Sequence, residues 1–516
     1  MTDPDAIVVG AGPNGLTAAN ALADAGWSVL VVEAEAEPGG AVKSAELIEP
    51  GFVNDVFSAF YPLAAASPAL RALELERFGL EWCHGPLVLA HPAIDGSCVA
   101  LSRDPDETAA SLDGFAPGDG DAWQELMALW ARIEPALLRG MTTPLPPVRS
   151  GLDLLLRLGP RGLLRLARLG VLPVRRFAAE RFAGEGGAQL LAGNALHADL
   201  GPESALGGFF GFFLAALGQR YGFPYPRGGA GRLSDALVRR ARERGVEIVC
   251  GARVADVVVR GGRARGVQLA GGERLAARRA VLAAVDAQVL PSALLGRDGE
   301  LFDRDWATLK VDWTLDGPVP WSAPDARRAP VVHVGGTVDE LSLYANEIHR
   351  GLAPTRPFLV FGQYACGDPT RAPAGKETAW AYTHLPQGLH PGEALATVER
   401  IEAHLERYAP GFRALVRGRH VLTPEELETA NPSLVGGALN GGTAQLHQQL
   451  FLRPRPGLGR PETAVRQLYL ASSSAHPGGG VHGAAGWNAA RVALRGGLRR
   501  RAARAPAGAS SAGSRA

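Results

Sequence analysis

"AIVVGAGPNGLTAANALADAGWSVLVVEAEAEPGGAV", residues 6–42, decides the fold of this 516-residue chain. Ala6–Val9 is a short apolar run of the kind that forms a buried parallel strand, and it stops at Gly10. Leu16, Ala19, Leu22 and Ala23 then recur at helical spacing until Gly26, and a second apolar run, Val29–Val32, ends at Glu33. In Gly10-Ala11-Gly12-Pro13-Asn14-Gly15 each glycine has its own task. Gly10 permits the tight turn, Gly12 lets the backbone approach a pyrophosphate, and Gly15 allows the helix to pack closely on the strand. The unpaired N–H groups and dipole of the helix N-terminus then favour the anion. Glu33, about 20 residues on, is placed to accept hydrogen bonds from both ribose hydroxyls of a dinucleotide; a carboxylate there repels a 2′-phosphate and disfavours NADP. A glycine-rich turn alone is weak evidence, but here strand, turn, helix, strand and terminal acid occur in order. That order leaves FAD and NAD open.

The length exceeds what one hydrophobic core supports and predicts two or more domains. Hydrophobic residues at 46% and charged residues at 20% mark an ordinary globular composition, and a net charge of +1 gives no basis for nucleic-acid binding. Cys83, Cys98, Cys250 and Cys366 are far apart, without a C-x-x-C pair or metal-ligand spacing, so no metal site is expected. The acidic opening MTDPDA lacks a secretory pattern and predicts a cytoplasmic protein.

Residues 51–85 read as turns with an amphipathic helix and complete a first nucleotide-domain segment, 1–85. Residues 86–224 read as a largely helical cap. Within it, residues 151–177 interleave leucine with Arg157, Arg161, Arg165, Arg168, Arg175 and Arg176. Such a stretch either lies on a membrane's inner face or covers a core with its leucines while its arginines meet water. Residues 204–218, "SALGGFFGFFLAALG", are too few for the ~20 that span a bilayer and read as a buried helix lining an apolar chamber. Residues 225–300 return to α/β character: a helix from about Leu233, strands at 246–249 and 254–259, a hairpin turned at Gly271-Gly272, and a buried strand at 280–284. Residues 301–440 are mixed, with strands at 309–315 and 358–362 and a helix at 393–408; residues 441–495 rejoin the nucleotide domain, and 496–516 have the composition of a disordered tail. The layout predicts an α/β protein, with a Rossmann-type domain discontinuous in sequence and a mixed α+β substrate domain built from the insertions.

Near the other end, "SSSAHPGGGVHGAAGWNAA" (472–490) sets Gly478, Gly479 and Gly480 between His476 and His482. It follows an apolar run at 467–470 and precedes a helix, so it occupies a strand-to-helix crossover of the parallel sheet, where ligands of doubly wound folds bind. Three bare residues let a planar ring approach the backbone, and the helix offers N–H groups to its electron-rich edge. These motifs, with Gly39-Gly40 after Glu33 and "YPRGGAGRLSDAL" at 225–237, resemble the phytoene desaturase-like branch of the FAD-dependent amine oxidase superfamily, which includes the pyridine nucleotide-disulfide oxidoreductase domain proteins. The likeness covers most of residues 5–495, and the Gly39-Gly40 extension favours FAD over NAD. It implies that Gly480, Val481 and His482 border the isoalloxazine, that Val254 contacts the adenine end, and that Pro13, Asn14, Lys43, Ser473 and Gly479 belong to the cofactor set. Ser472 and Ser474 stand where relatives usually carry glycine, and Trp487 where arginine is common.

The resemblance also implies substrate oxidation by hydride transfer to the flavin, followed by reoxidation by oxygen, a quinone or another acceptor. The cofactor then supplies the reactivity, and few obligatory catalytic side chains are expected. His476 and His482 are candidate bases or positioning donors. Lys310, in "TLKVDWTL", either approaches the ring or is a solvent-exposed lysine. Disulfide reduction needs two neighbouring thiols, which the cysteine spacing does not offer. The apolar run at 204–218 suits a polyene, lipid or hydrophobic secondary metabolite. A flavin amine oxidase-like enzyme and an FAD-containing regulatory protein with little turnover remain alternatives.

Overall fold

The computed structural model describes residues 3–289, 303–454 and 459–504, without the side chains of 497–504. Ala6–Val9 and Val29–Val32 are buried at every position and pair in parallel, as runs covered on both faces must be. The parallel sheet has five strands in the order Leu468–Leu470, Ala280–Ala283, Ala6–Val9, Val29–Val32, Glu247–Val249. Alternate residues serve opposite faces. Ala6, Val8, Val29 and Val31 join the core beneath the helices Pro13–Asp24, Gly231–Glu243 and Ala484–Arg504. Ile7, Val9, Leu30 and Val32 pack against an antiparallel ribbon of Val254–Arg260, Arg263–Leu269 and Arg274–Ala276. The Rossmann-type domain is therefore assembled from three distant parts of the chain.

The second sheet has seven strands: Val416–Leu422, Ala307–Leu315, Glu377–Leu385, Leu359–Gln363, Val331–Val334, Leu89–Pro92 and Cys98–Leu101, in that spatial order. All neighbours are antiparallel except Val331–Val334 beside Leu89–Pro92. The segment expected to be helical from residue 86 thus begins with two strands. The two runs are only four residues long, and Leu89–Pro92, which pairs with Cys98–Leu101, joins the sheet through Val331–Val334, more than 200 residues away. Helix Pro391–Tyr408 contributes Ala394, Val398, Ile401 and Leu405 to the core on one face. The other face meets the helical layer, in which Asp119–Met141, Glu185–Leu196 and Gly207–Tyr221 share a core containing Trp123, Trp130 and Phe212.

Helix Val148–Leu169 breaks at Gly159, whose φ of 68° and ψ of 173° lie outside helical space, just before Pro160. The last helix runs to Arg504, so residues 496–504 continue a helix where the composition predicts disorder. Alanine, arginine and leucine are strong helix formers, and an ordered helix already precedes them. The rest of the expected tail, 505–516, and residues 290–302 lie outside the described residues. Among the described residues no helix is long and apolar enough to cross a membrane.

Candidate active site

A cavity of about 390 Å³ lies between the two sheets. It is lined by Gly10, Gly12, Pro13, Asn14, Glu33, Gly40, Lys43, Val254, Ser473, Gly480 and Val481, which brings the N-terminal turn and the C-terminal glycines, more than 430 residues apart, into one site. Gly15 lies behind this wall. A Cβ there would sit 2.0 Å from the Gly10 carbonyl oxygen, so only glycine allows the helix this close to the strand. Gly39 ties the second glycine pair to the first turn, its N–H donating to the Ala11 carbonyl at 3.0 Å.

Three observations test whether the cavity fits a dinucleotide. Helix Pro13–Asp24 is capped by Gly12 with no side-chain hydrogen bond, so its first-turn N–H groups are left for an anion, as pyrophosphate binding requires. The Asn14 Oδ1 is buried without a partner. Glu33 is 8% exposed, accepts from the Ala11 N–H at 2.6 Å and the Glu35 N–H at 3.0 Å, and still faces the cavity. The residues present therefore fit FAD.

The serines that replace glycine are used by the turn itself. Ser474 Oγ accepts from the Ala287 N–H at 3.1 Å and donates to Asp286 at 3.3 Å, while Ser472 Oγ accepts from the Ser474 N–H at 3.3 Å. Trp487 packs against the core of the parallel sheet.

Opposite the glycines, the strands Ala307–Leu315 and Glu377–Leu385 send Thr308, Lys310, Trp380 and Tyr382 to the same cavity. Lys310 is not a solvent-exposed lysine: it is 3% exposed, and its Nζ lies 2.5 Å from both carboxylate oxygens of the fully buried Asp312. Strand alternation puts residues two apart on one face, which is why this pair meets. Burial pushes the Asp312 carboxyl up, and the Lys310 ammonium opposes that shift. Trp380 is braced from behind. Its Nε1 donates to Tyr364 Oη at 2.8 Å, Tyr364 donates to Asp55 at 2.5 Å, and Asp55 pairs with the buried Arg371 at 2.9 Å.

A second cavity of about 600 Å³ adjoins the first, the two sharing Phe60, His197, Asn440, Gly480 and Val481. Its walls include Phe209, Phe210 and Phe213 from helix Gly207–Tyr221 and Leu154 and Leu166 from helix Val148–Leu169. Gly479, His476 and His482 line this cavity instead of the first. A Cβ on Gly479 would come within 2.0 Å of Asn440 Oδ1.

The two histidines differ in what they leave free. The Nδ1 of His482 accepts from the Ala484 N–H at 3.0 Å and its Nε2 donates to the Gly479 carbonyl at 3.2 Å, so both ring nitrogens brace the turn and neither is open to a substrate proton. His476 has one long contact, 3.4 Å from Nε2 to the Gly140 carbonyl. Burial pushes both down to about 4, so both rings are neutral near pH 7.

Sequence reasoning missed His197, Asn194, Trp380, Tyr382 and Arg453. The available signals were the three-residue spacing of Asn194 and His197 in an otherwise apolar helix and the alternation of Trp380 and Tyr382 in "TAWAYTHL". Arg453 carries no local signal. It is buried, and its guanidinium donates to the carbonyls of Asn440, Thr443 and Ser473, contacts that exist only in the fold. The four cysteines are free thiols.

Residues 14–311 match the family model of the flavin containing amine oxidoreductases. Pyridine nucleotide-disulfide oxidoreductase domain-containing protein 2 of Rattus norvegicus is 30% identical, with 95% of this chain and 93% of that protein covered. Phytoene dehydrogenase of Streptomyces griseus is 26% identical over 92% of each. Among solved structures, putrescine oxidase bound to putrescine has the same fold, with a TM-score of 0.60 at 18% identity, covering 95% of this chain and 98% of that one. With more than half its length matched by the family model and a 30%-identical relative aligned along 95% of it, the chain belongs to the flavin containing amine oxidoreductases: it is an oxidoreductase, and its cofactor is FAD.

Proposed function

We propose that the protein dehydrogenates an apolar substrate held in the larger cavity, with FAD in the smaller one. The observation that carries this reading is the wall of the 600 Å³ chamber, which is mostly apolar, with phenylalanine and leucine its commonest side chains, and shares Gly480 and Val481 with the cofactor cavity. Bound FAD supplies the two-electron acceptor. The chain's own residues do the rest: the phenylalanines exclude water, the Gly480–Val481 backbone admits the ring, and the Lys310–Asp312 pair holds a fixed dipole beside it.

An amine substrate is the competing reading. It has the fold likeness to putrescine oxidase behind it, but an alkylammonium needs a negative partner. Among the described residues the chamber wall carries one full charge, the Arg453 guanidinium, which repels a cation. The deciding experiment adds matched sets of polyenes and alkylamines to the anaerobic holoprotein and follows bleaching of the flavin. Bleaching by polyenes or other apolar molecules supports the proposal; bleaching by amines alone overturns it.

One helix of the chamber wall also fits a lipophilic substrate. Helix Val148–Leu169 lines the chamber with Leu154 and Leu166 and turns outward Val148, Leu152, Leu156 and Leu164, the last two 77% and 72% exposed. Arg149, Arg161 and Arg165 of the same helix make no ion pair with the described residues, a combination suited to an anionic membrane surface.

A further inference from the structure

The chamber is apolar but not uniformly so. Asn194, near the end of helix Glu185–Leu196, lies in its wall at 1% exposure. Its Nδ2 donates to the Leu190 carbonyl at 2.8 Å, and its Oδ1 has no partner in the protein. Rotating the amide would point the oxygen at the Leu190 carbonyl, so that bond fixes the orientation and leaves Oδ1 as the unpaired acceptor. A buried acceptor left unpaired is costly, which makes it a selector for whatever fills the space beside it.

Three further features narrow the ligand. His197, three residues on and on the same side of the helix, lines both cavities, so the Asn194 end of the chamber adjoins the cofactor cavity. The Ser150 Oγ, also in the chamber wall and also buried, has no partner either. The Arg453 charge disfavours an ammonium, while a carboxylate has no proton to offer the Asn194 oxygen.

We propose that the chamber binds an apolar substrate bearing a hydroxyl group, whose O–H donates to Asn194 Oδ1 and anchors the molecule beside the cofactor cavity. This rests on the reading of the larger cavity as the substrate site, and it changes the substrate class from a pure hydrocarbon to an apolar alcohol. The hydroxyl is an anchor; the carbon to be oxidised lies elsewhere on the molecule. Asn194 thereby becomes a specificity-determining residue, because a site built for a donor rejects an analogue that lacks one.

The test uses the FAD-loaded protein and three probes on one isoprenoid skeleton: farnesol, farnesyl methyl ether and farnesene. Binding is read from the perturbation of the flavin spectrum and by calorimetry. Farnesol is expected to bind on the order of tenfold tighter than its methyl ether, which keeps the oxygen but has no donor. In Asn194→Leu that preference is expected to fall to about twofold or less, with farnesene binding as well as before or better; FAD content and melting temperature report whether the variant is folded. Equal binding of farnesol and ether to the unaltered protein overturns the proposal. A preference that survives in a folded Asn194→Leu also overturns it. Failure of all three probes to bind overturns the assignment of the chamber itself, a result distinct from the other two.

Discussion

Replacing Asp312 by asparagine tests the charge arrangement beside the cofactor cavity. The substitution preserves shape and removes one charge from a pair in which Lys310 is 3% exposed and Asp312 fully buried. Both carboxylate oxygens lie 2.5 Å from the Lys310 Nζ, so no other described group shares the neutralisation at that distance. Breaking a buried pair from one side leaves an uncompensated charge and typically costs about 3–5 kcal/mol, whereas removing both partners is often close to neutral. Asp312→Asn is therefore expected to lose about 3–5 kcal/mol of unfolding free energy, and Lys310→Met with Asp312→Asn is expected to recover most of it. The assay is urea unfolding at saturating FAD for the unaltered protein, both single variants and the double variant, so that the coupling is read from the cycle. A loss below about 1 kcal/mol in Asp312→Asn, or a double variant as unstable as that single one, would refute the ion-pair reasoning.

Other expectations follow from the same geometry. Gly15→Ala places a methyl where the Gly10 carbonyl oxygen is only 2.0 Å away, and is expected to abolish FAD retention through purification, read from the visible spectrum; a yellow variant refutes it. Burial pushes both Asp305 and Glu377 up to about 7. Because the folded values lie above the unfolded ones, their contribution is complete below about pH 4 and is lost as pH rises towards 7. Melting temperature in Asp305→Asn should accordingly show a weaker decline between pH 4 and 7 than in the unaltered protein. Serine at Leu152, Leu156 and Leu164 is expected to reduce co-sedimentation with anionic vesicles at least fivefold without loss of FAD; unchanged sedimentation removes the membrane reading of that helix.

What the sequence discloses is what is encoded locally. The turn Gly10–Gly15 and the strands beside it are legible because each step follows its neighbour in sequence, and the run at 204–218 announces a buried helix by composition alone. Lys310 is illegible for the opposite reason. A strand reading "ATLKVDWTL" carries two charges and two threonines and looks half-exposed, but it is flanked by a strand on each side and buried at all nine positions. The strands Leu89–Pro92 and Cys98–Leu101 are hidden in the same way, since the pairing of the first with Val331–Val334, which ties both to the sheet, is a property of the sheet. Asn194 and Arg453 show the limit for the site: a polar residue in an apolar segment is visible, but whether it meets a carbonyl, a ligand or nothing depends on packing from elsewhere in the chain.

The order of the parallel sheet has a consequence for how the protein is made. Four of its strands lie within the first 283 residues, but the fifth, Leu468–Leu470, and the glycine turn behind it emerge only after nearly the whole chain has been synthesised. At ~5–20 residues per second the earlier strands wait on the order of ten seconds or more, with the edge of Ala280–Ala283 unpaired and the cofactor cavity lacking Ser473, Gly480 and Val481. FAD is therefore captured late, and a ribosome that stops short of residue 480 releases a chain whose nucleotide turn is complete but whose binding site is open on one side.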